Sequence, residues 1–417
     1  MKVDIIKASA DGDFKEYKRS RGGLPQNIFS LAGATPPDIA VRLLDESVDC
    51  RVDPGSDADL VAIMFSTPDA PRGYALADSF RARGKTVVFG GLHPSFLPEE
   101  ALAHGDAVIV GEAEGVWERL LADFRGGRLE RIYRAEAPFD LARLKPYPTD
   151  LLGPSHYDWI WTVTVSRGCP FNCEFCTVNR FFRGLRYRPV EHVVAEVRGC
   201  GAGHVELKAD NLTADRGYCL ELFRALEPLG INWSTSTDIR LADDPELLDA
   251  AVRSGLSYVL LGIETPSDRV LRGAGKGFVR SEALHRQVAR FHEGGVIVDA
   301  AALFGFDGQG PEAFRETLDF FESIEVDVCD PVIVVPFPGT RLFDRLEGEG
   351  RILTRDWARY DGSHAVFRPS DMTPAELEMG AYWFYEQWNA PARRASRKKR
   401  QTRQLGRENA QYIADTF

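Results

Sequence analysis

Short apolar, β-branched segments alternate with helical segments along most of this chain, and this alternation constrains the fold more than any other feature. In residues 1–145 each apolar run is bounded by Gly, Pro or Asp, as the buried strands of a parallel sheet usually are. The predicted strands are 3–6, 41–44, 60–64, 86–89 and 107–110, and the clearest helices are 70–83 and 114–124. We therefore predict an N-terminal, Rossmann-like domain with a doubly wound parallel sheet.

The same alternation resumes in residues 146–345. The predicted strands are 159–165, 204–208, 232–237, 258–263, 297–304 and 332–336, and the helices between them are 190–198, 218–226, 245–253, 281–293 and 312–324. About six strands of this kind predict a partial (β/α)6 barrel of the TIM type, with its active site at the carboxyl ends of the strands. Such an active site is built from the residues that directly follow each strand.

Beyond the barrel we expect a mainly helical C-terminal region. In residues 346–390 a helix over 375–388 carries five aromatic residues, which favours a cap packed on the barrel; the wall of a substrate pocket is the alternative. Residues 391–417 form a basic tail, for which a solvated helix or a frayed terminus is the simplest interpretation. The alternative interpretation is that this tail contacts an acidic partner, phosphate groups or a membrane surface. Its basic residues are Arg393, Arg394, Arg397, Lys398, Lys399, Arg400, Arg403 and Arg407.

Three cysteines lie close together near the start of the second region. Cys169, Cys173 and Cys176 are separated by three and then two residues, and no fourth cysteine lies near them. Thiolates are the usual ligands of iron-sulfur clusters, so this spacing favours a 4Fe-4S cluster with one iron left without a protein ligand. A structural zinc site would need a second pair of ligands, and a third reading makes all three cysteines small buried residues.

The other cysteines do not repeat this spacing, which predicts a single cluster. The total of seven cysteines is odd, which disfavours a framework of disulfides. We interpret Cys329 as a buried small residue, with a methyl acceptor or radical quencher as the alternative. The residues outside the motif are Cys50, Cys200, Cys219 and Cys329.

The cysteine spacing, the aromatic Phe175 before the third cysteine and the apolar run 159–165 resemble the radical S-adenosylmethionine (SAM) superfamily. The resemblance implies that the open iron binds SAM and that one electron cleaves SAM to methionine and a 5'-deoxyadenosyl radical, which abstracts a hydrogen atom from substrate. It also implies an electron donor such as a flavodoxin or ferredoxin. Such a cofactor carries the difficult chemistry, and the protein positions and shields it.

By the same resemblance, residues at the strand ends surround SAM. Asp210 and Asn211 would lie near its amino group and Arg240 near its carboxylate, which a guanidinium can bind through two hydrogen bonds. Each of these residues taken singly could instead cap a helix. The predicted SAM-binding set is Phe175, Asp210, Asn211, Thr237, Arg240, Glu264 and Gly305, with Gly262 beside them.

Four segments of the N-terminal domain resemble the cobalamin-binding domain that precedes the barrel in one branch of this superfamily. They are Gly90-Gly91-x-His93-Pro94, Pro98-Glu99-Glu100-Ala101, Asp106-Ala107-Val108 and Gly111-Glu112-Ala113-Glu114. The D-x-H-x-x-G signature of other cobalamin proteins is absent, which fits both a corrin held without a histidine ligand and a domain that has lost its corrin. The candidate cobalamin contacts are Thr67, Gly90, Gly91, His93 and Gly111, with His93 alternatively a turn or capping residue.

Composition limits the remaining choices. The net charge of −11 makes a nucleic-acid partner unlikely, and neither a signal peptide nor a membrane span is visible, so we expect a cytoplasmic enzyme with a small-molecule substrate. The resemblance implies a cobalamin-dependent methyltransferase acting on an unactivated carbon or phosphorus. The alternatives are a radical SAM rearrangement, cyclisation or carbon-heteroatom bond-forming enzyme that binds no cobalamin, and a non-enzymatic iron-sulfur redox sensor.

Overall fold

A computed structural model describes residues 1–10, 25–48, 52–148, 151 and 161–404. Cys50, Trp159 and Arg407, which figured in the expectations above, lie outside the described residues. The chain forms two compact units. The first contains residues 1–160, 180–186 and 356–358, and the second contains 161–179, 187–355 and 359–417.

The first unit is built on a six-stranded sheet in which all strands are parallel, as predicted. Its strands are β1 (Lys2–Lys7), β2 (Ala40–Asp45), β3 (Leu60–Met64), β4 (Thr86–Gly90), β5 (Ala107–Val110) and β6 (Ile132–Arg134). The order β2-β1-β3-β4-β5-β6 changes direction at β1, and ligands of such sheets bind at the carboxyl ends of the strands. β3 is buried along its whole length, because helices cover both faces of a parallel sheet.

The second unit contains the parallel six-stranded sheet expected of the partial barrel. Its six strands are β7 (Trp161–Thr164), β10 (His204–Lys208), β11 (Asn232–Thr237), β12 (Leu256–Glu264), β13 (Ile297–Phe304) and β14 (Val328–Ile333), while β8 (Ser166–Arg167) and β9 (Arg186–Tyr187) form a separate two-stranded sheet. The sheet has the order β14-β13-β12-β11-β10-β7, so neighbours in sequence are neighbours in space. β7 leads directly into the cysteine loop, which places that loop at the carboxyl end of the sheet.

The last strand was predicted wrongly, because it runs over Val328–Ile333 rather than 332–336. β14 contains Pro331, and proline lacks the N–H that a central strand must donate. β14 is the edge strand of its sheet, where such a residue is tolerated, and Pro331 lies opposite Ala302 of β13.

The helices fill the positions between the strands. They are α1 (Gln26–Ala34), α2 (Ala70–Arg81), α3 (Leu92–Phe96), α4 (Pro98–His104), α5 (Trp117–Arg125), α6 (Val178–Phe182), α7 (Val190–Cys200), α8 (Arg216–Leu226), α9 (Pro245–Arg253), α10 (Asp268–Gly273), α11 (Ser281–Glu293), α12 (Ala313–Ser323), α13 (Arg341–Gly348), α14 (Pro374–Trp388) and α15 (Pro391–Gln404). Among the described residues, none of these helices is both long and apolar enough to cross a membrane.

α14 carries the predicted aromatic cluster, and one face of it packs as expected. A capping box between Thr373 and Glu376 starts the helix. Phe384 is fully buried, with its ring centre 5.3 Å from that of Phe304 on β13. Tyr382 and Tyr385, by contrast, are 66% and 47% exposed, so only part of the cluster is core.

The described part of the basic segment, residues 391–404, is a docked helix rather than a solvated or frayed one. Arg400 of α15 donates hydrogen bonds to the carbonyls of Glu325 and Val326 at 2.9 Å and to the Asp327 carboxylate at 3.1 Å. Arg397 is buried, with its guanidinium 4.1 Å from the centre of the Trp388 ring. Arginine side chains thus replace the apolar stripe that normally docks a surface helix, which a hydrophobic pattern does not reveal.

The docking of α15 predicts the effect of replacing Arg400. Arg400→Ala removes hydrogen bonds from a charged donor, each worth about 1.5–3 kcal/mol, so the amides of 391–404 should exchange with solvent at least about tenfold faster. The measurement is hydrogen-deuterium exchange of the whole chain. Lys399→Ala, an exposed neighbour on the same helix, is the matched control and should leave the exchange rates unchanged. Equal exchange in the two variants would contradict the docking role.

Candidate active site

The loop that carries the three cysteines is fastened at its start. The backbone N–H of Gly168 donates a 2.8 Å hydrogen bond to Oδ2 of Asp210, which directly follows β10. Within the loop, the N–H of Cys176 bonds to the carbonyl of Cys173 at 3.2 Å. Asp210, predicted to bind SAM, therefore also orders the cysteine loop.

Two further elements hold the middle of the loop. The N–H of Glu174 bonds to the carbonyl of Ala274 at 3.0 Å, and the Glu174 carbonyl accepts from the N–H of Leu342 at 2.9 Å. The Glu174 carboxylate also pairs with Arg345 of α13 at 3.0 Å. The loop is thus bonded through its backbone to three separate segments of the second unit.

All three thiols are half-buried. Burial raises the pKa of Cys176 to about 11, and it also raises the pKa of Cys169 and of Cys173. At Cys173 the positive charge of Lys276 opposes this rise in pKa. Within the described ranges, no three acidic, histidine or cysteine side chains are grouped around a position for a single metal ion. A 4Fe-4S cluster has no such requirement, because each thiolate binds a different iron.

The predicted residues after β10 and β11 come together in one polar group. Asn211 donates from Nδ2 to Asp238 at 3.0 Å, and Thr237 Oγ1 donates to Asn211 Oδ1 at 3.4 Å. The Asp238 carboxylate also accepts hydrogen bonds from Nε and Nη2 of Arg240, at 2.8 and 3.2 Å. It caps the short helix that follows β11 as well. Asp238 was not among the predicted site residues, yet it orients two of them.

Arg240 lies over the cysteine loop. Its guanidinium carbon is 4.8 Å from the ring centre of Phe171, within the loop, and 5.3 Å from that of Phe278. These two rings stack with their centres 3.8 Å apart. A guanidinium held between a carboxylate and aromatic faces has a fixed direction. The hydrogen bonds of Arg240 to Asp238 use its Nε and Nη2 groups and not its Nη1 group.

Glu264 ends β12 in an unusual conformation. Its φ of +66° lies in the left-handed region, which is uncommon for a residue with a side chain. The carboxylate is buried, and its Oε1 accepts a hydrogen bond from Lys276 Nζ. Burial lowers the pKa of Lys276, but the attraction of Glu264 outweighs it and holds that pKa above its usual value. Lys276 was not among the site residues predicted from the sequence. Its position between two glycines, Gly275 and Gly277, was a possible signal.

Backbone conformation and packing explain why a glycine stands at position 305. Its φ is +103°, and a Cβ there would lie 2.9 Å from Leu377 of α14. Its N–H donates to Gln309 Oε1 at 2.9 Å. The next residue, Phe306, lies with its ring centre 5.5 Å from that of Phe175, the predicted aromatic contact beside the third cysteine.

In the first unit, the predicted cobalamin contacts lie at the carboxyl ends of β3, β4 and β5. A Cβ on Gly90 would meet Met64 at 2.7 Å, and one on Gly91 would meet the Phe65 carbonyl at 2.5 Å, so packing explains both glycines. Gly111 differs: its φ is +86°, and a Cβ there would meet nothing within 4 Å. Gly111 therefore borders open space at the edge where parallel sheets bind ligands.

The structure places the other two candidates in the core. His93 is completely buried, its Nε2 lies 3.2 Å from Glu100 Oε1, and its ring packs edge-on against Trp357 at 5.1 Å between ring centres. This burial favours the alternative of a structural residue, and a contact of His93 with a corrin stays a prediction. Thr67 is 4% exposed and begins a short 3-10 helix after β3.

Comparison with known proteins agrees with this architecture. The family model of the Radical SAM superfamily matches residues 163–321. Bacteriochlorophyllide d C-8(2)-methyltransferase of Chlorobaculum tepidum is 31% identical over 377 residues, which cover 82% of this chain and 80% of that protein. The C-12(1)-methyltransferase of the same organism is 29% identical over 366 residues, covering 85% of this chain and 80% of that protein.

Solved structures share the fold. The radical SAM methyltransferase TsrM of Kitasatospora setae, determined with cobalamin and a [4Fe-4S] cluster, superposes with a TM-score of 0.67 at 16% identity, over 84% of this chain and 78% of that one. The cobalamin-dependent radical SAM enzyme OxsB superposes with a TM-score of 0.71 at 15% identity, over 100% of this chain and 71% of that one. The chain therefore belongs to the radical SAM superfamily and is an enzyme of that superfamily.

Proposed function

We propose that this chain is a cobalamin-dependent methyltransferase that uses SAM to methylate an unactivated carbon of a small molecule. The observation that carries the proposal is the extent of similarity to the C-8(2)-methyltransferase, since the matched 82% of this chain is more than the second unit contains. The similarity therefore reaches well into the first unit. The tetrapyrroles named for the two C. tepidum relatives supply the first substrate class to test.

The second unit has residues suited to the cluster and to SAM. Cys169, Cys173 and Cys176 would hold the cluster, whose fourth position would take SAM. When bound, the cluster supplies the electron that cleaves SAM, and the corrin carries the methyl group. The protein's own contribution is to order the cysteine loop through Asp210 and to direct the guanidinium of Arg240 toward the carboxylate of SAM.

The first unit has an edge that suits a flat ligand. Open space at Gly111 would let a large ring approach the backbone closely, as glycine allows. The hydroxyl of Ser9, which follows β1 at the same edge, is buried and has no hydrogen-bond partner in the described part of the chain. We infer that the corrin lies against these residues and takes no ligand from His93, whose imidazole is buried in the core.

A first prediction concerns cofactor content and products. After anaerobic reconstitution with iron, sulfide and hydroxocobalamin, corrin should co-elute at about one per chain. Turnover with a bacteriochlorophyllide probe should release 5'-deoxyadenosine and S-adenosylhomocysteine in equal amounts, because one SAM yields the radical and the other the methyl group. Absorption spectra and chromatography of the products measure both. Formation of 5'-deoxyadenosine alone, with no retained corrin, would reject methyl transfer in favour of another radical reaction.

A second prediction concerns SAM binding. Arg240→Lys should weaken the affinity of the reconstituted enzyme for SAM by about tenfold, because an ammonium cannot make the paired hydrogen bonds of a guanidinium. Equilibrium dialysis measures the affinity. Arg216→Lys is the matched control, since Arg216 makes the same kind of ion pair with Asp244 on an exposed helix end. Equal losses in both variants would contradict the assignment.

A third prediction separates the two contributions of Asp210. Asp210→Ala removes the acceptor of the Gly168 N–H, a bond to a charged group worth about 1.5–3 kcal/mol, so iron content after reconstitution should fall. Asp210→Asn keeps an acceptor oxygen and should retain its iron while it binds SAM more weakly. Iron and sulfide analysis measures the first effect. Full iron content in Asp210→Ala would show that this bond is not needed to order the loop.

A further inference from the structure

Lys276 is a buried cation beside the cysteine loop to which no role has yet been assigned. Its side chain is 11% exposed, and its ammonium pairs with Glu264. The segment that carries it runs along the loop, because Ala274 accepts the Glu174 N–H at 3.0 Å. A Cβ on Gly275, whose φ is +77°, would lie 3.0 Å from the Asn172 carbonyl and 3.6 Å from the Cα of Cys173, so the two segments lie in close contact.

Keeping this ion pair is costly, which argues for a purpose. Burying a carboxylate and an ammonium loses hydration, and well-packed apolar residues often give equal stability. The chain also accepts a left-handed residue at Glu264 and a glycine at 262, where a Cβ would lie 2.2 Å from the Lys276 nitrogen. Two departures from an ordinary strand sequence thus accompany this one pair.

The pair leaves one oxygen available. Glu264 is 4% exposed, and its Oε2 has no hydrogen-bond partner in the part of the chain that the structure describes. A buried acceptor without a donor loses free energy, and a ligand that brings a donor restores it. Lys276 fixes Oε1, so the direction of Oε2 is fixed as well.

The charge of Lys276 acts on the loop. Its chain neighbour Gly275 lies directly against Asn172 and Cys173, so the backbone carries this cation close to the cysteine loop. A thiolate-bound cluster gains negative charge when it is reduced, and its potential depends on the charges around it. A nearby cation in a site largely shielded from water stabilises the reduced state.

We propose that Lys276 is a positioning residue with two effects: it orients the Glu264 carboxylate toward the SAM site and raises the reduction potential of the cluster. The inference rests on the proposed function, since it requires the cluster. It concerns the ease of reduction and not the identity of the substrate. A single side chain thereby links the geometry of SAM binding to the electron transfer that SAM cleavage needs.

The test is a redox titration of the reconstituted full chain, monitored by EPR without SAM. In Lys276→Met the ratio of reduced to oxidised cluster at a fixed potential should fall about tenfold, which corresponds to about 59 mV for one electron. Lys276→Arg keeps the charge and should titrate like the wild type. Because Lys276→Met leaves a buried carboxylate unpaired, Glu264→Gln and the double variant Glu264→Gln/Lys276→Met form a second comparison that differs only in the ammonium.

The outcomes are distinguishable. A lower potential in Lys276→Met and in the double variant, each against its own reference, supports the inference. Equal potentials at equal iron content in both comparisons would overturn it and leave the proposed function standing. A wild-type chain that takes up no cluster would overturn the proposed function and this inference together.

Discussion

The backbone bonds that hold the cysteine loop are the constraint on which the site in the second unit depends. A loop with three thiolates has no core of its own, so its shape must come from its neighbours. Gly168 bonds to Asp210 after β10, and Glu174 bonds to Ala274 after β12 and to Leu342 of α13. These elements can reach one loop because parallel strands end at the same edge of the sheet. The strand order therefore determines the loop, and the loop determines where a cluster can lie.

Glycines mark the places where segments approach too closely for a side chain. At Gly255 a Cβ would lie 1.9 Å from the Ile231 carbonyl, which brings β12 against the start of β11. Gly262 and Gly275 do the same for the Lys276 ammonium and for the cysteine loop. These positions are fixed by packing around the site.

Much of this arrangement could be predicted from the sequence, because it follows from local patterns. The strands 60–64, 204–208, 232–237 and 297–304 and the helices 245–253 and 281–293 have the predicted bounds, since apolar runs and glycine or proline boundaries coincide there. β14 was misplaced because the tolerance of Pro331 depends on its position at the sheet edge, a tertiary property. α15 was misjudged because it docks through arginines.

The site shows the same division between local and non-local information. Spacing alone predicted Cys169, Cys173 and Cys176, because all three lie in one short segment. It did not identify Lys276 or Asp238, whose partners come from other parts of the chain. His93 belongs to a segment that resembles a cobalamin domain, and the sequence did not reveal its surroundings: Tyr74, His93 and Trp357 all lie within hydrogen-bonding distance of one oxygen of Glu100. A motif fixes the order of residues along the chain, whereas the role of each residue depends on which groups surround its side chain.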